Sequence, residues 1–224
     1  MNFESELVSL KEIVERNYFF RVPIYQRLYV WGNDQVETLL ADLLSAYTDD
    51  KEIYYLGGVI VVETSNGTQR RVFDLIDGQQ RFTTLWLMGH VWQQNLQPFL
   101  HDTNGTRQYR IEFPIRDNVT SLFKQDMVLV NDKVTPVLQP IVDARAVIQS
   151  YLNGEYATVN VDAFSRFIYE RVHLVLTTVP RHTDLNKLFA VLNNRGVQLQ
   201  HHEILKARLL GQLHDGAERE RYST

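Results

Sequence analysis

The residues best suited to chemistry sit together in the run from Phe73 to Leu85, Phe-Asp-Leu-Ile-Asp-Gly-Gln-Gln-Arg-Phe-Thr-Thr-Leu. Side chains alternate in an extended segment, so Val72, Asp74 and Ile76 share one side while Phe73, Leu75 and Asp77 share the other. Asp77 then stands at the mouth of a strand. Gly78 permits a sharp turn, and the backbone N–H groups that follow are the unpaired donors of a helix N-terminus, a seat for anionic oxygens. Gln79, Gln80 and Arg81 crowd polar reach into the same turn. An ordinary capped strand-to-helix junction is written in much the same way, and an Asp-Gly pair is commonly only a turn. Three long polar side chains before Phe82 are more than a structural turn needs.

Two other places set polar or cationic side chains into apolar surroundings. One is Gln26-Arg27, flanked by Pro23, Tyr25, Tyr29 and Trp31; the other is Asn193-Asn194-Arg195-Gly196 together with Lys206. A buried Arg is costly unless an anion pairs with it. One Asp cannot serve Arg27, Arg81, Arg195 and Lys206 together. If these segments converge, the simplest missing partner is a polyanion, such as a nucleoside triphosphate or a DNA phosphate gripped bidentately by Arg. Taken singly, each Arg is a surface residue with a solvated head, and the aromatics are ordinary core. The chain has no Gly-x-x-x-x-Gly-Lys-Ser/Thr run, which argues against a P-loop site. His201-His202-Glu203 does not make a metal site, because adjacent helical residues diverge by roughly 100°.

Composition bounds the elements that must position these groups. The chain has 224 residues, 44% hydrophobic and 22% charged, as expected of one soluble domain with a substantial core. A helical subdomain over residues 137–171 is a further option. There are no cysteines, which excludes disulfides, a thiol nucleophile and Cys-ligated metal and fits a reducing cytoplasm. The first residues lack a signal-peptide pattern and no stretch reaches membrane-spanning length, so no membrane partner is expected. A net charge of −4 provides no global basic field, so any contact with DNA must be local or supplied by a partner or a further domain.

Apolar spacing predicts an amphipathic helix over Ser5 to Asn17 and a short strand over Tyr18 to Val22. A second helix begins with Asn33 as N-cap and carries Val36, Leu39, Leu40, Leu43, Leu44 and Tyr47 on one stripe. Tyr54 to Thr64 and Arg70 to Asp77 read as a hairpin joined at Ser65-Asn66-Gly67-Thr68. The following helix buries Phe82, Leu85, Trp86 and Gly89 and leaves Gln80 to face a ligand. A strand is expected over Tyr109 to Phe113, helices over Val137 to Leu152 and Val161 to Arg171, and a strand over Val172 to Val179. Asp184 caps a helix ending near Gly196, and a last helix covers about His201 to His214.

Four segments, taken in order, resemble a known family: Pro23-Ile-Tyr-Gln-Arg-Leu-Tyr-Val-Trp31, Tyr55-Leu-Gly-Gly58, Asp77-Gly-Gln-Gln-Arg-Phe-Thr-Thr-Leu85, and Phe189-Ala-Val-Leu-Asn-Asn-Arg-Gly-Val-Gln-Leu199 with Lys206. They are similar to the N-terminal domain of GmrSD-type restriction proteins, which include modification-dependent endonucleases and the phosphorothioate-sensing SspE proteins. Gln200 and Glu203 stand where that family usually has Ser and Asp. The resemblance implies an α+β fold with a ParB/sulfiredoxin-like core that binds and hydrolyses GTP or ATP with Mg²⁺ and senses modified DNA in antiphage defence. By motif position it implies Asp77, Gln80 and Arg81 as hydrolysis residues, with Asp77 able to hold Mg²⁺. Gln26, Arg27, Gly78, Gln79, Asn193, Arg195 and Lys206 are implied as nucleotide contacts. Pro23, Tyr25, Tyr29 and Trp31 would line a pocket for a modified base or a phosphorothioate. Full-length relatives carry a C-terminal nuclease domain, so the expected partners are modified DNA and a nuclease domain or subunit, with no DNA cleavage by this chain alone. A non-enzymatic reader of DNA or nucleotide and a nucleotide-dependent homo-oligomeric clamp are the alternatives.

Overall fold

The computed structural model describes residues 3–23, 26–67, 70–102, 108–113, 136, 138–153, 157–184 and 188. Six strands make one mixed sheet: β1 (Glu4–Ser9), β2 (Tyr18–Arg21), β3 (Tyr54–Gly67), β4 (Arg70–Asp77), β5 (Ile111–Glu112) and β6 (Val172–Val179). Their spatial order is β1-β6-β3-β4-β2-β5. β1 with β6 and β3 with β4 are antiparallel, whereas β3 with β6, β2 with β4 and β2 with β5 are parallel. The helices are α1 (Leu10–Glu15), α2 (Asn33–Thr48), α3 (Gln79–Trp92), α4 (Gln97–Leu100), α5 (Gln139–Tyr151) and α6 (Val161–Arg171), with a single 3₁₀ turn at Gln94–Leu96. The fold class is α+β, as expected. No helix among the described residues is long and apolar enough to cross a membrane.

The hairpin of β3 and β4 lies at the centre of the sheet, and its second strand runs straight into α3. Phe20 and Phe73 stack across β2 and β4 at 5.7 Å, and Phe82 of α3 closes on Phe20 at 4.4 Å. Phe82, Leu85, Trp86 and Gly89 are buried as their spacing requires, but so are the intervening residues. α3 therefore runs through the core with only Arg81, His90 and Val91 partly open to solvent. α5 and α6 contribute Ile141, Ile148, Phe164 and Ile168 to the same apolar cluster as α3.

The N-terminal segment departs from the helix predicted over Ser5 to Asn17. Residues Glu4–Ser9 pair with β6 instead, and the helix is confined to Leu10–Glu15. Ser9 decides the boundary. Its hydroxyl accepts from the Glu12 N–H at 3.2 Å while the Glu12 carboxylate accepts from the Ser9 N–H at 2.8 Å, a reciprocal cap that starts a helix there. β6 supplies the backbone partners that periodicity alone could not reveal. In α2 the stripe Val36, Leu39, Leu40, Leu43 and Leu44 is buried as expected, but Gly32 is the N-cap and Asn33 already lies within the helix. The strand expected over Tyr109 to Phe113 narrows to Ile111–Glu112, and the predicted helix over Val137 to Leu152 is Gln139–Tyr151. Chain beyond Asp184 lies outside the described residues, apart from Leu188.

Replacing Ser9 by Ala removes one half of the reciprocal cap and is expected to lower stability by about 1 kcal/mol, read as a shift in the urea midpoint with an unchanged slope.

Candidate functional site

Because β2 and β4 run parallel, with Arg21 beside Asp74, the chain leaving β2 emerges at the same end of the sheet as Asp77. That placement carries residues 26–31 past the strand-to-helix turn. The Gln26 side-chain amide donates to the Ile76 carbonyl at 2.8 Å, one residue before Asp77. Two of the three polar segments singled out in the sequence thus converge. The third, Asn193 and Arg195 with Lys206, lies outside the described residues; Leu188 packs against Ile60, Ile76 and Val179 at this end of β4.

The turn is made by Gly78 in the left-handed region, at φ 82°. A Cβ there would lie 2.8 Å from the Gly58 carbonyl oxygen and 3.1 Å from the Val59 Cα, so Gly serves both the backbone conformation and the close approach to β3. α3 has no side-chain cap and no acidic residue in its first turn, unlike α1 and α6, which are capped by Ser9 and Asn160. Its first helical bond runs from the Phe82 N–H to the Gly78 carbonyl. The first-turn N–H groups of Gln79, Gln80 and Arg81 therefore have no acceptor within the helix, and no side chain caps the positive end of its dipole.

Arg81 is held across the first residues of β3. Its Nη1 donates to the Leu56 carbonyl at 3.0 Å and its Nη2 to the Gly58 carbonyl at 3.3 Å. The register of β3 against β6 shifts between Tyr55 and Gly57, and Gly57 takes φ 126°. The bulge brings the Leu56 and Gly58 carbonyls to the same guanidinium. A Cβ on Gly57 would stand 1.9 Å from Arg81 Nη1. Burial pushes the Arg81 guanidinium below its usual pKa, and the nearby Asp77 carboxylate draws it part of the way back. Neither residue takes part in an ion pair among the described residues. Asp77 is exposed. The result is a half-buried cation hydrogen-bonded, among the described residues, to carbonyls alone, at an uncapped helix N-terminus, with an exposed carboxylate beside it.

Gln80 turns towards the 28–31 segment and is buried. Its Oε1 accepts from the Val30 N–H at 2.8 Å and the Trp31 N–H at 3.3 Å, and its Nε2 donates to the Leu28 carbonyl at 3.2 Å. The amide expected to face a ligand instead ties the preceding loop to α3. One turn further on, Thr84 bonds the Gln80 carbonyl and the Tyr29 hydroxyl, both at 2.8 Å. Tyr29 is 1% exposed and belongs to the core, and Pro23 is buried too. Trp31 is half-buried, Val30 and Arg27 are exposed, and Tyr25 lies outside the described residues. Gln79 is buried, with no hydrogen bond to either side-chain polar atom.

Among the described residues no group of three or more His, Asp or Glu side chains could hold a metal ion by itself. Asp77 remains one open carboxylate, which suits a cation that arrives with its own phosphate oxygens. The apolar pattern left three residues without a role. Gly57 carried the usual signal of paired glycines inside a strand, a bulge or a close approach, but its partner Arg81 lies 24 residues away in sequence. Thr83 and Thr84 carried none.

Gly57→Ala is expected to displace the Arg81 guanidinium and to lower stability by roughly 1–3 kcal/mol, the usual scale of a side chain forced to positive φ, as read by chemical denaturation. Burial also pushes the Tyr29 hydroxyl up to about 12. Its neutral form is favoured on folding, so the stability it lends is full below the unfolded value near 10 and is lost as pH rises towards 12. Wild type is expected to lose stability over that window more steeply than Tyr29→Phe, measured as urea midpoints from pH 9 to 12.

The family model described as GmrSD restriction endonuclease, N-terminal domain, matches residues 6–210. A search of curated proteins finds no match to the chain.

Proposed function

The chain belongs to the GmrSD restriction endonuclease N-terminal domain family, and from that premise we propose that it is the nucleoside-triphosphate-hydrolysing regulatory part of its restriction system. Membership makes it a component of such a system, in which DNA is the substrate and a nuclease domain the partner. The observation that carries the finer reading is Arg81: a desolvated cation bonded, among the described residues, only to the Leu56 and Gly58 carbonyls, next to an uncapped helix N-terminus. Such a cation is stabilised by an anion, and a terminal phosphate satisfies both it and the free N–H groups.

Phosphoryl transfer needs positioning and charge stabilisation more than covalent chemistry. In this reading Arg81 and the first-turn N–H groups of α3 receive the charge that spreads over the transferring phosphoryl oxygens. Asp77 orients the attacking water or, with the phosphate oxygens, holds a Mg²⁺ ion that neutralises phosphate charge. Gln26 braces the end of β4 through Ile76, and Arg27, Asn193, Arg195 and Lys206 are proposed as further phosphate contacts. Gln80 links this turn to the modified-DNA segment, because its amide holds the backbone of Val30 and Trp31. A modified base or phosphorothioate resting on Trp31 and the exposed Val30 would thereby feel changes at the nucleotide turn, and the nuclease would be controlled through that link.

The alternative is a non-enzymatic reader in which nucleotide or DNA only switches contact with the nuclease. It gains support from the lack of a ready-made metal cage, because Asp77 belongs to no group of three or more potential ligands among the described residues. Tight nucleotide binding without phosphate release would select it.

Asp77→Ala and Arg81→Ala are each expected to reduce GTP or ATP turnover by about a hundredfold or more, measured as phosphate release with Mg²⁺ in the presence and absence of modified DNA. Arg81→Lys should not restore it, because an ammonium cannot span two carbonyls and a phosphate as a planar fork can. Wild-type turnover in either alanine variant would remove the hydrolytic assignment.

A further inference from the structure

Two Gln–Thr pairs begin α3, offset by a single residue, and they differ in their hydrogen bonding. Gln80 and Thr84 are fully engaged: the amide holds Leu28, Val30 and Trp31, and the hydroxyl bonds the Gln80 carbonyl and Tyr29. Gln79 and Thr83 have the same spacing and are buried at 4% and 0% exposure. Yet Gln79 Nε2, Gln79 Oε1 and Thr83 Oγ1 have no hydrogen-bond partner among the described residues. Thr83 does not even bond the carbonyl one turn back, as Thr84 does. Leaving such groups buried and unpaired is costly, whereas apolar side chains of the same shape would be neutral or stabilising. Polar atoms kept this way fit a partner that arrives from outside.

The chemistry of that partner follows from the groups themselves. Residues four apart lie on one stripe of the helix, so Gln79 and Thr83 address a single neighbour. Both are neutral. A carboxamide offers one acceptor and two donors, and a hydroxyl can donate or accept. This set recognises a neutral edge carrying a donor and an acceptor side by side, as Gln does with a nucleobase. It is a poor match for phosphate, which only accepts. Gln79 and Arg81 are two residues apart and project about 200° from one another around the helix axis, so one compact anion cannot occupy both. The same stripe continues through Trp86 and His90, which pack with Tyr109 and Phe113.

We infer that Gln79 and Thr83 are the base-reading half of the site: they select the nucleobase of a nucleotide whose phosphates lie on Arg81 and the open end of α3. This rests on the nucleotide reading of the turn proposed above. The ligand straddles the N-terminus of α3, with its charged end on one side and its base on the other.

The test uses the full chain, calorimetric affinities for ATP, GTP, CTP and UTP, and inorganic tripolyphosphate as a phosphate-only probe. Wild type is expected to prefer one base by about tenfold or more. In the combined Gln79→Met, Thr83→Val variant that preference should fall below about threefold, with tripolyphosphate affinity unchanged and a melting temperature no lower than wild type. Should the methionine variant not fold, Gln79→Asn, which keeps the amide but withdraws it, is read in the same way. The inference is overturned if the double variant keeps the wild-type base preference, since the pair then holds only ordered water. It is also overturned if tripolyphosphate binding weakens in parallel, or if wild type binds all four nucleotides alike. Wild type that binds neither nucleotide nor tripolyphosphate overturns the nucleotide reading itself.

Discussion

Everything at the end of the central hairpin depends on how closely α3 approaches the backbone of β3. Gly78 turns the chain against Gly58 and Val59 with no room for a Cβ, and Gly57 leaves space for the Arg81 guanidinium in the next turn. These two contacts fix the direction of α3 as it leaves β4 and place its first turn over the bulged start of β3. The aromatic packing of Phe82 on Phe20 then anchors the helix from the core side. A wider approach would release Arg81 from its carbonyls and open the turn to water.

That closeness has an electrostatic consequence. The guanidinium is partly desolvated and bonded to dipoles, and its nearest carboxylate is not in contact with it. Carbonyl oxygens orient a cation without neutralising it, so the charge remains available to a ligand. The missing cap on α3 acts in the same direction, because a Ser or Asp at that position would occupy the N–H groups an anion needs. Two features that weaken a structural turn thus both favour binding.

The four polar side chains of the motif have separate jobs. Arg81 faces β3, Gln80 faces the segment after β2, and Asp77 faces solvent; only Gln79 is buried without a partner. Successive helical residues step by about 100° around the axis, so three consecutive long side chains reach three different neighbours. A short motif can in this way join the central hairpin and the loop from β2 at one place. The Gln80 bonds to Val30 and Trp31 tie that loop to α3, and the proposed link between nucleotide and DNA rests on that tie.

Local pattern by itself determined the existence of the hairpin of β3 and β4, though not its turn, since Ser65, Asn66 and Gly67 pair with β4; it also determined the stripe of α2, the helix ending at Arg171 with the strand after it, and the strand-Gly-helix turn. Each is written in contiguous apolar periodicity or in a glycine that only one geometry needs. The polar excess at Asp77 to Arg81 is likewise legible in the sequence alone. Only the tertiary structure decided that residues Glu4–Ser9 form a strand, because their partner β6 lies about 170 residues away. It alone decided that Gln80 is a structural tie, that Tyr29 is core, and that Gly57 makes room for Arg81. Those assignments depend on which backbone groups meet across long sequence separations, and neither spacing nor composition carries that information. The same holds for Gln79 and Thr83: their side chains match those of Gln80 and Thr84, and only burial beside different neighbours leaves one pair satisfied and the other open.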